Sequence, residues 1–443
     1  MRKLEKRSVI CLTLAAILLA GMVYFVICYA HDGADWASFY GNQSVYENGV
    51  LKDGEIYDIN GAALFSASNG EGLYNSDEEI RTATVHAVGD LQGNISTSAL
   101  QSYTDKIIGY NPVTGTYKAI EGDEKIVLTI DSEVCRVAYE GLQGYKSGCV
   151  GVFNYETGDI ICMVSTPAFD PENPPEVSED DDSGIYINRF ISSTFTPGSI
   201  FKTVTSAAVI ETMDNYEDFS YYCTGSRDVN GTPINCYGVH GEVDFTQAFA
   251  SSCNGAFSLL ADEVGADTME RYVKKLGLTS SYDIDGVKTA AGSFSFPSDS
   301  DADLGWAGAG QFEDLVNPCS MMVYIGAIAN GGRAVTPHLV YEEGREIESK
   351  QIIKRSTAEY LQSMMKSAVI NTYGEYRFPG LDIYAKTGSA EVGDHTNGTF
   401  VGFIKNEGYP YAFFVFVEDC YGGLQSATPI ANDVLQAIVG QGD

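Results

Sequence analysis

The sequence predicts an α/β (α+β) sandwich, a sheet flanked by helices, standing behind a small α+β segment and one N-terminal membrane helix. Three observations carry this. Strand-like hairpin patterns occur at 149–165 and again at 398–417, with helical patterns between them, so the two ends of one sheet meet. Residues 31–145 show only short mixed segments. Residues 9–30 are apolar and carry no charged side chain.

Taken in order, Arg2, Lys3, Lys6 and Arg7 precede that apolar run. At 1.5 Å per residue the run spans about 33 Å, enough for the hydrocarbon core of a bilayer. The basic flank keeps residues 1–8 in the cytoplasm and places the rest on the outer face. The run is too long for the apolar core of a cleaved signal and ends without a small-x-small site, so the anchor reading is preferred. In 31–145, Asn60-Gly61 is a turn signal between two strand patterns, and Asp131 with Ser132 caps a helix over 133–142. From 146 onward the pattern sharpens. Strands at 149–155 and 159–165 flank the turn Glu156-Thr157-Gly158, and residues 167–183 form a proline- and acid-rich loop. Helices are expected at 199–212, 246–264, 318–329, 357–370 and 429–439, with a hairpin at 398–404 and 411–417.

Net charge is −33, from 60 acidic and 27 basic residues. That argues against a nucleic-acid partner, since phosphate binding needs a positive surface. Ten cysteines are too scattered for a disulfide scaffold. Cys11 and Cys28 fall in the apolar run, while Cys135, Cys149, Cys162, Cys319 and Cys420 read as small buried residues. Cys223 and Cys236 bracket a polar loop outside the membrane, where a disulfide is one reading. A zinc site of Cys223, Cys236 and His240 is the sharper alternative, but no fourth ligand stands at finger-like spacing.

Three motifs carry chemistry: Ser199-Ile200-Phe201-Lys202, Ser252-Cys253-Asn254 and Lys386-Thr387-Gly388-Ser389. Singly each is weak, because Ser363-Met364-Met365-Lys366 and Lys146-Ser147-Gly148 imitate two of them. Context separates them. Pro197-Gly198 makes a turn that opens a helix at Ser199, placing its hydroxyl at the positive helix end with an unpaired backbone N–H beside it. Lys202 lies one turn on, on the same face. Lysine can act as base to serine only if burial or a second cation lowers its pKa. Ile200, Phe201 and Val204 supply the burial and Lys386 the cation. Ser363 sits mid-helix, and Lys146 precedes the serine motif instead of following it. Lys386 and Gly388 of the third motif face one way on a strand, Thr387 and Ser389 the other.

The ordered set resembles the penicillin-binding protein and serine β-lactamase superfamily, within it the class B penicillin-binding proteins. Other similar strings are Leu128-Thr129-Ile130-Asp131, Thr157-Gly158-Asp159-Ile160, Ser165-Thr166-Pro167 with Asp170-Pro171, Asn188-Arg189, Gly310-Gln311, Ala329-Asn330-Gly331-Gly332 and Phe400-Val401-Gly402-Phe403. The resemblance implies a transpeptidase domain at 146–443, with a five-stranded antiparallel sheet between helices, and a pedestal at 31–145. It implies peptidoglycan stem peptides ending in D-Ala-D-Ala as donors, a neighbouring stem-peptide amine as acceptor, acylation by β-lactams and no metal or other cofactor. Ser199 is then the nucleophile, Lys202 its base, Ser252 the proton shuttle and Asn254 the holder of the peptide amide. Lys386 tunes the electrostatics, Thr387 and Ser389 bind the terminal carboxylate across Gly388, and the N–H groups of Ser199 and Ser389 form the oxyanion hole. Asp53 and Ile59 stand where the family's pedestal usually has arginines, which puts its inter-subdomain salt bridges in doubt.

Other functions compete. A β-lactamase of class A shares the motifs but needs a general-base Glu between the second and third, which is not recognisable here. A penicillin sensor would need a cytoplasmic output domain, and a non-catalytic scaffold would not need intact motifs. No Gly-x-Ser-x-Gly elbow supports a Ser-His-Asp hydrolase. The stretch ahead of 146 is short for a glycosyltransferase domain, so a separate membrane-embedded glycosyltransferase is the expected partner.

Overall fold

The computed structural model describes residues 2–111, 113–115, 125–178 and 180–440. Two compact units result: Met1–Ile56 with Phe65–Leu73 and Tyr103–Ile126, and Tyr57–Leu64 with Tyr74–Ser102 and Val127–Asp443.

The larger unit is built on five strands: β1 (Ser147–Asn154), β2 (Ile160–Thr166), β3 (Ile383–Val392), β4 (His395–Ile404) and β5 (Tyr411–Glu418). Their order is β3-β4-β5-β1-β2, antiparallel throughout, so the predicted hairpins from the two ends pair through β5 and β1. Phe413 opposite Val152 and Val415 opposite Val150 sit at the centre of that seam. Near-continuous burial along β1 and β5 marks a sheet covered on both faces. The covering helices are α1 (Ser132–Leu142), α2 (Lys202–Thr212), α3 (Asn254–Val264), α4 (Pro318–Ala329), α5 (Arg355–Ala368) and α6 (Thr428–Gly440). A Cβ on Gly148 would strike Leu142 of α1, whereas the ring of Phe153 lies against Gly326 of α4. An odd separation along a strand puts these contacts on opposite faces. The α/β sandwich is therefore observed, with α1 and α6 packed together on one side and α4 on the other.

Local signals explain the element ends. Asp131 caps α1 through Glu133 N and Val134 N, and Asn317 caps α4, which has proline at its first position. The expected bounds 318–329 coincide with α4. The helix expected over 246–264 is instead two, Phe245–Ala250 and α3. Ser252 N donates to Phe249 O and Cys253 N to Ala248 O, the paired bonds that end a helix when one residue turns left-handed. Ser252 takes that place with φ 56°.

In the smaller unit a long helix, Arg2–Ala37, contains the predicted run. Within its Lys3–Ala37 portion an 18-residue stretch reaches a mean hydropathy of 2.6, and the helix is long and apolar enough to cross a membrane. A four-stranded sheet runs in the order Glu71–Tyr74, Ala63–Ser68, Asp53–Tyr57, Lys125–Val127. The expected Asn60-Gly61 turn, in the Tyr57–Leu64 segment of the larger unit, follows Asp53–Tyr57 and precedes Ala63–Ser68, with Asp58 accepting from Asn60 N and Ala62 N.

Candidate active site

Ser199 lies in a single tight turn, Gly198–Phe201, that leads into α2. Gly198 has φ 60°, its N–H donates to Gly310 O, and a Cβ there would sit 2.8 Å from Ser389 O. Only glycine lets the nucleophile turn lie backbone to backbone on β3. Gly388 makes the reciprocal allowance, since its Cβ would fall 2.7 Å from Pro197 O.

The three motifs meet around two buried lysines. Lys202 Nζ lies 2.6 Å from Ser199 Oγ, 2.8 Å from Asn254 Oδ1 and 3.3 Å from Ser252 Oγ. Lys386 Nζ lies 3.1 Å from the same Ser252 Oγ and donates to Thr387 O at 2.8 Å. Both lysines are 0% exposed. Phe257 lies under Lys202 and Phe249 under Lys386, so α3 and the helix before it supply the apolar walls along with Ile200, Phe201 and Val204. Burial pushes Lys202 down to about 7, with the Cys253 and Cys236 thiols pulling weakly the other way. Burial and then the Lys202 charge push Lys386 well below its ordinary value.

A neutral Lys202 amine has two N–H donors and one lone pair. Asn254 Oδ1 and Ser252 Oγ accept the donors, which turns the lone pair to the closest neighbour, the Ser199 hydroxyl. This geometry can deprotonate a serine. Ser252, held between two lysines, occupies a backbone conformation in which glycine would be unstrained, at a cost of about 1–2 kcal/mol. Residues held in such conformations cluster at functional sites.

On the edge strand β3, Thr387 N–H points away from β4, donating to Tyr373 OH at 3.0 Å. Alternate residues of an antiparallel edge point their N–H the same way, so Ser389 N–H also faces outward, where Gln311 Nε2 meets Ser389 O at 3.2 Å. The Thr387 hydroxyl reaches Tyr373 OH as well, and Gly423 N donates to Ser389 Oγ. Ser199, Asn254, Ser389, Tyr237, Gln311 and Glu391 line one cleft of 430 Å³. A larger cleft of 670 Å³, around Asn330, Arg333 and Lys405, lies at the far ends of β4 and β5 and is lined by no hydroxyl or thiol nucleophile besides tyrosine.

A family model described as the penicillin binding protein transpeptidase domain matches residues 148–436. The chain belongs to that family. Among its relatives, stage V sporulation protein D of Bacillus subtilis is 25% identical over 424 residues, covering 83% of this chain and 65% of that protein. Peptidoglycan D,D-transpeptidase PbpA of Mycobacterium tuberculosis is 27% identical over 353 residues, 70% of this chain and 71% of that one. The chain thus spans about two-thirds of these relatives' length. In fold it resembles penicillin-binding protein A from M. tuberculosis, solved as a ceftriaxone acyl-enzyme, with TM-score 0.76 and 22% identity over 87% of this chain and 98% of that one. It also resembles a D,D-transpeptidase domain from Eggerthella lenta, with TM-score 0.71 and 24% identity over 88% and 99%.

All eight predicted site residues, Ser199, Lys202, Ser252, Asn254, Lys386, Thr387, Gly388 and Ser389, come together in the family's fold. Sequence reasoning missed Tyr373 and named Gln311 only within a resembling string, without a site role; both hold β3 from outside. Tyr373 offers no local signal, because a short π-helical stretch, Val369–Tyr373, carries it to Thr387 from the end of α5.

The disulfide reading of Cys223 and Cys236 is corrected. Their sulfurs are 3.8 Å apart and both are free thiols, against about 2.05 Å for a bond. A fourth candidate ligand, not visible by spacing, is Cys253, which the break before α3 brings in. Cys223, Cys236, His240 and Cys253 place their ligand atoms within 4.8 Å of one another.

Proposed function

We propose that the chain is a membrane-anchored peptidoglycan D,D-transpeptidase. The supporting observation is the Ser199 hydroxyl 2.6 Å from the amine of buried Lys202, whose pKa burial pushes down to about 7. Residues 146–443 act as the catalytic domain and 31–145 as its pedestal.

Ser199 Oγ attacks the carbonyl of the penultimate D-alanine, and its proton passes to Lys202. The oxyanion that forms lies between the N–H groups of Ser199 and Ser389, while Asn254 holds the peptide amide. Thr387 and Ser389 take the terminal carboxylate, beside the Lys386 charge. The proton then moves through Ser252 to the nitrogen of the departing D-alanine as the C–N bond breaks. The amine of a second stem peptide attacks the acyl carbonyl and loses its proton to Lys202, which returns it to Ser199 Oγ as the acyl–oxygen bond breaks. A β-lactam enters the same cycle and stops at the acyl stage.

Two measurements test this together. The full-length chain in detergent should hold a fluorescent penicillin through gel electrophoresis. It should also release D-alanine from a pentapeptide substrate while joining it to an added amine. Rapid loss of label with penicillin hydrolysis would indicate a β-lactamase. A folded chain with neither adduct nor product would indicate a non-catalytic scaffold or sensor.

The basic residues in the first turns of the long helix favour a catalytic domain on the outer face of the cytoplasmic membrane. That helix is the natural grip for a polytopic glycosyltransferase supplying nascent strands. Exchanging residues 9–30 for an unrelated apolar span should abolish co-purification with such a partner while leaving penicillin labelling intact. Unchanged co-purification would remove the helix from the interface.

A further inference from the structure

Four ligand atoms converge beside the second motif from four separate places in the chain. Cys223 ends the strand Ser220–Cys223, which pairs with Gly241–Asp244 so that Gly241 lies opposite Cys223 and His240 stands next to it. Cys236 follows the strand Thr232–Asn235, and Cys253 occupies the break before α3. The separations are 3.8 Å for Cys223 Sγ to Cys236 Sγ, 3.8 Å for Cys236 Sγ to Cys253 Sγ and 3.3 Å for Cys223 Sγ to His240 Nδ1. Around a tetrahedral zinc with bonds of about 2.3 Å to sulfur and 2.0–2.1 Å to nitrogen, the S–S edges are about 3.8 Å and the S–N edges about 3.5 Å. These three edges match that polyhedron, and the remaining three lie within 4.8 Å.

The backbone around the sulfurs also suits thiolates. Gly225 N–H points at Cys223 Sγ and Gly255 N–H at Cys236 Sγ, each at 3.4 Å. Such donors stabilise charge on sulfur. Cys223 and Cys253 are 0% exposed, while Cys236 and His240 are half-buried and Cys236 also lines the cleft that holds Ser199, so the cluster forms part of that cleft's wall.

We infer that Cys223, Cys236, His240 and Cys253 bind one zinc ion, and that this ion fixes the Ser252-Asn254 pair against Lys202. Binding forms three Zn–S bonds and one Zn–N bond and releases whatever protons the three thiols carry. Three thiolates and a neutral imidazole around a soft-tolerant d¹⁰ dication favour zinc over magnesium or calcium. Cys253 lies between Ser252 and Asn254, whose side chains touch Lys202 Nζ. Asn254 Nδ2 donates to Asn235 O, one residue before Cys236, so two ligands flank that tie as well. With Cys253 pinned, Ser252 is held in its left-handed conformation by more than the helix-end hydrogen bonds. Metal binding stands independently of the transpeptidase reading; the positioning effect rests on it.

The test begins with the full chain purified in detergent without chelators or reducing agents. Elemental analysis should find about one zinc per chain. Cys223→Ser and His240→Ala should each lose it, and Cys319→Ser, at a buried thiol away from the cluster, should keep it. Exchange into cobalt supplies a readout independent of activity: tetrahedral d–d bands and thiolate-to-metal charge transfer, both lost in Cys223→Ser. Stripping zinc should slow penicillin acylation about 10–100-fold, with recovery on adding zinc back. No zinc in the wild type, together with no cobalt spectrum, would overturn the site. A spectrum and stoichiometry as expected, but an unchanged acylation rate after stripping, would overturn the positioning role while leaving the acyl-enzyme chemistry standing.

Discussion

Ser199→Ala should leave a folded chain that takes no covalent label from a fluorescent penicillin, whereas Ser363→Ala should label like the wild type. The two serines share a Ser-x-x-Lys string, and their surroundings decide between them. Ser363 Oγ is spent on Tyr360 O at 2.6 Å within α5, on an exposed face. Lys366, its counterpart lysine, lies 3.1 Å from Asp382 and 3.2 Å from Glu375. Burial lowers the Lys366 pKa, but those carboxylates outweigh it and the net shift is upward. A lysine held as a cation has no lone pair for a serine proton. Lys202 Nζ lies 2.6 Å from Ser199 Oγ in a site that burial drives toward neutrality, which leaves a lone pair free for the serine proton. Ser199→Ala removes the atom that carries the acyl group, so the loss should be complete. Matched thermal melting of both variants would separate lost chemistry from lost fold. Labelling that survives in Ser199→Ala but vanishes in Ser363→Ala would reverse the assignment.

What could be read from the sequence was what local chemistry encodes. The hairpin of β1 and β2 announces itself by β-branched runs around Glu156-Thr157-Gly158, and α4 by asparagine and proline at its start. The nucleophile turn was legible because Pro197-Gly198 restricts the backbone leading into Ser199. The break at 251–253 was not, because nothing in Ala250-Ser251-Ser252-Cys253 forbids a continuous helix. A serine in the left-handed region is imposed by surrounding structure, here Lys202 and Lys386 converging on its hydroxyl. The same break hid Cys253 from any reading by ligand spacing. Tyr373 and Gln311 reach the site across long sequence distances, which a one-dimensional pattern does not carry. Of the departures from the family's pedestal, Asp53 and Ile59 remove expected arginines, while Arg81 forms a paired contact with Asp170 of the Asp170-Pro171 string, at 2.6 and 2.8 Å.

Lys202→Ala should slow acylation by about 10²–10⁴-fold, the usual worth of a positioned general base. The pH profile should identify the base more sharply than the rate alone. In the wild type, burial depresses the Lys202 pKa to about 7, so the amine is neutral and active above that pH and protonated below it. Acylation should therefore rise about tenfold per pH unit on the acid side and level off above neutrality. Removing the Lys202 amine should abolish this inflection along with most of the rate. Lys386 is the alternative base, since its pKa is also depressed and it touches Ser252. Its separation from Ser199 by Ser252 and Lys202 argues for a supporting charge, and part of its depression comes from Lys202 itself. Lys202→Ala would relieve that repulsion and raise the Lys386 pKa, making Lys386 a firmer cation and a poorer base. A variant that kept both the wild-type rate and the inflection near neutrality would transfer the role of base to Lys386.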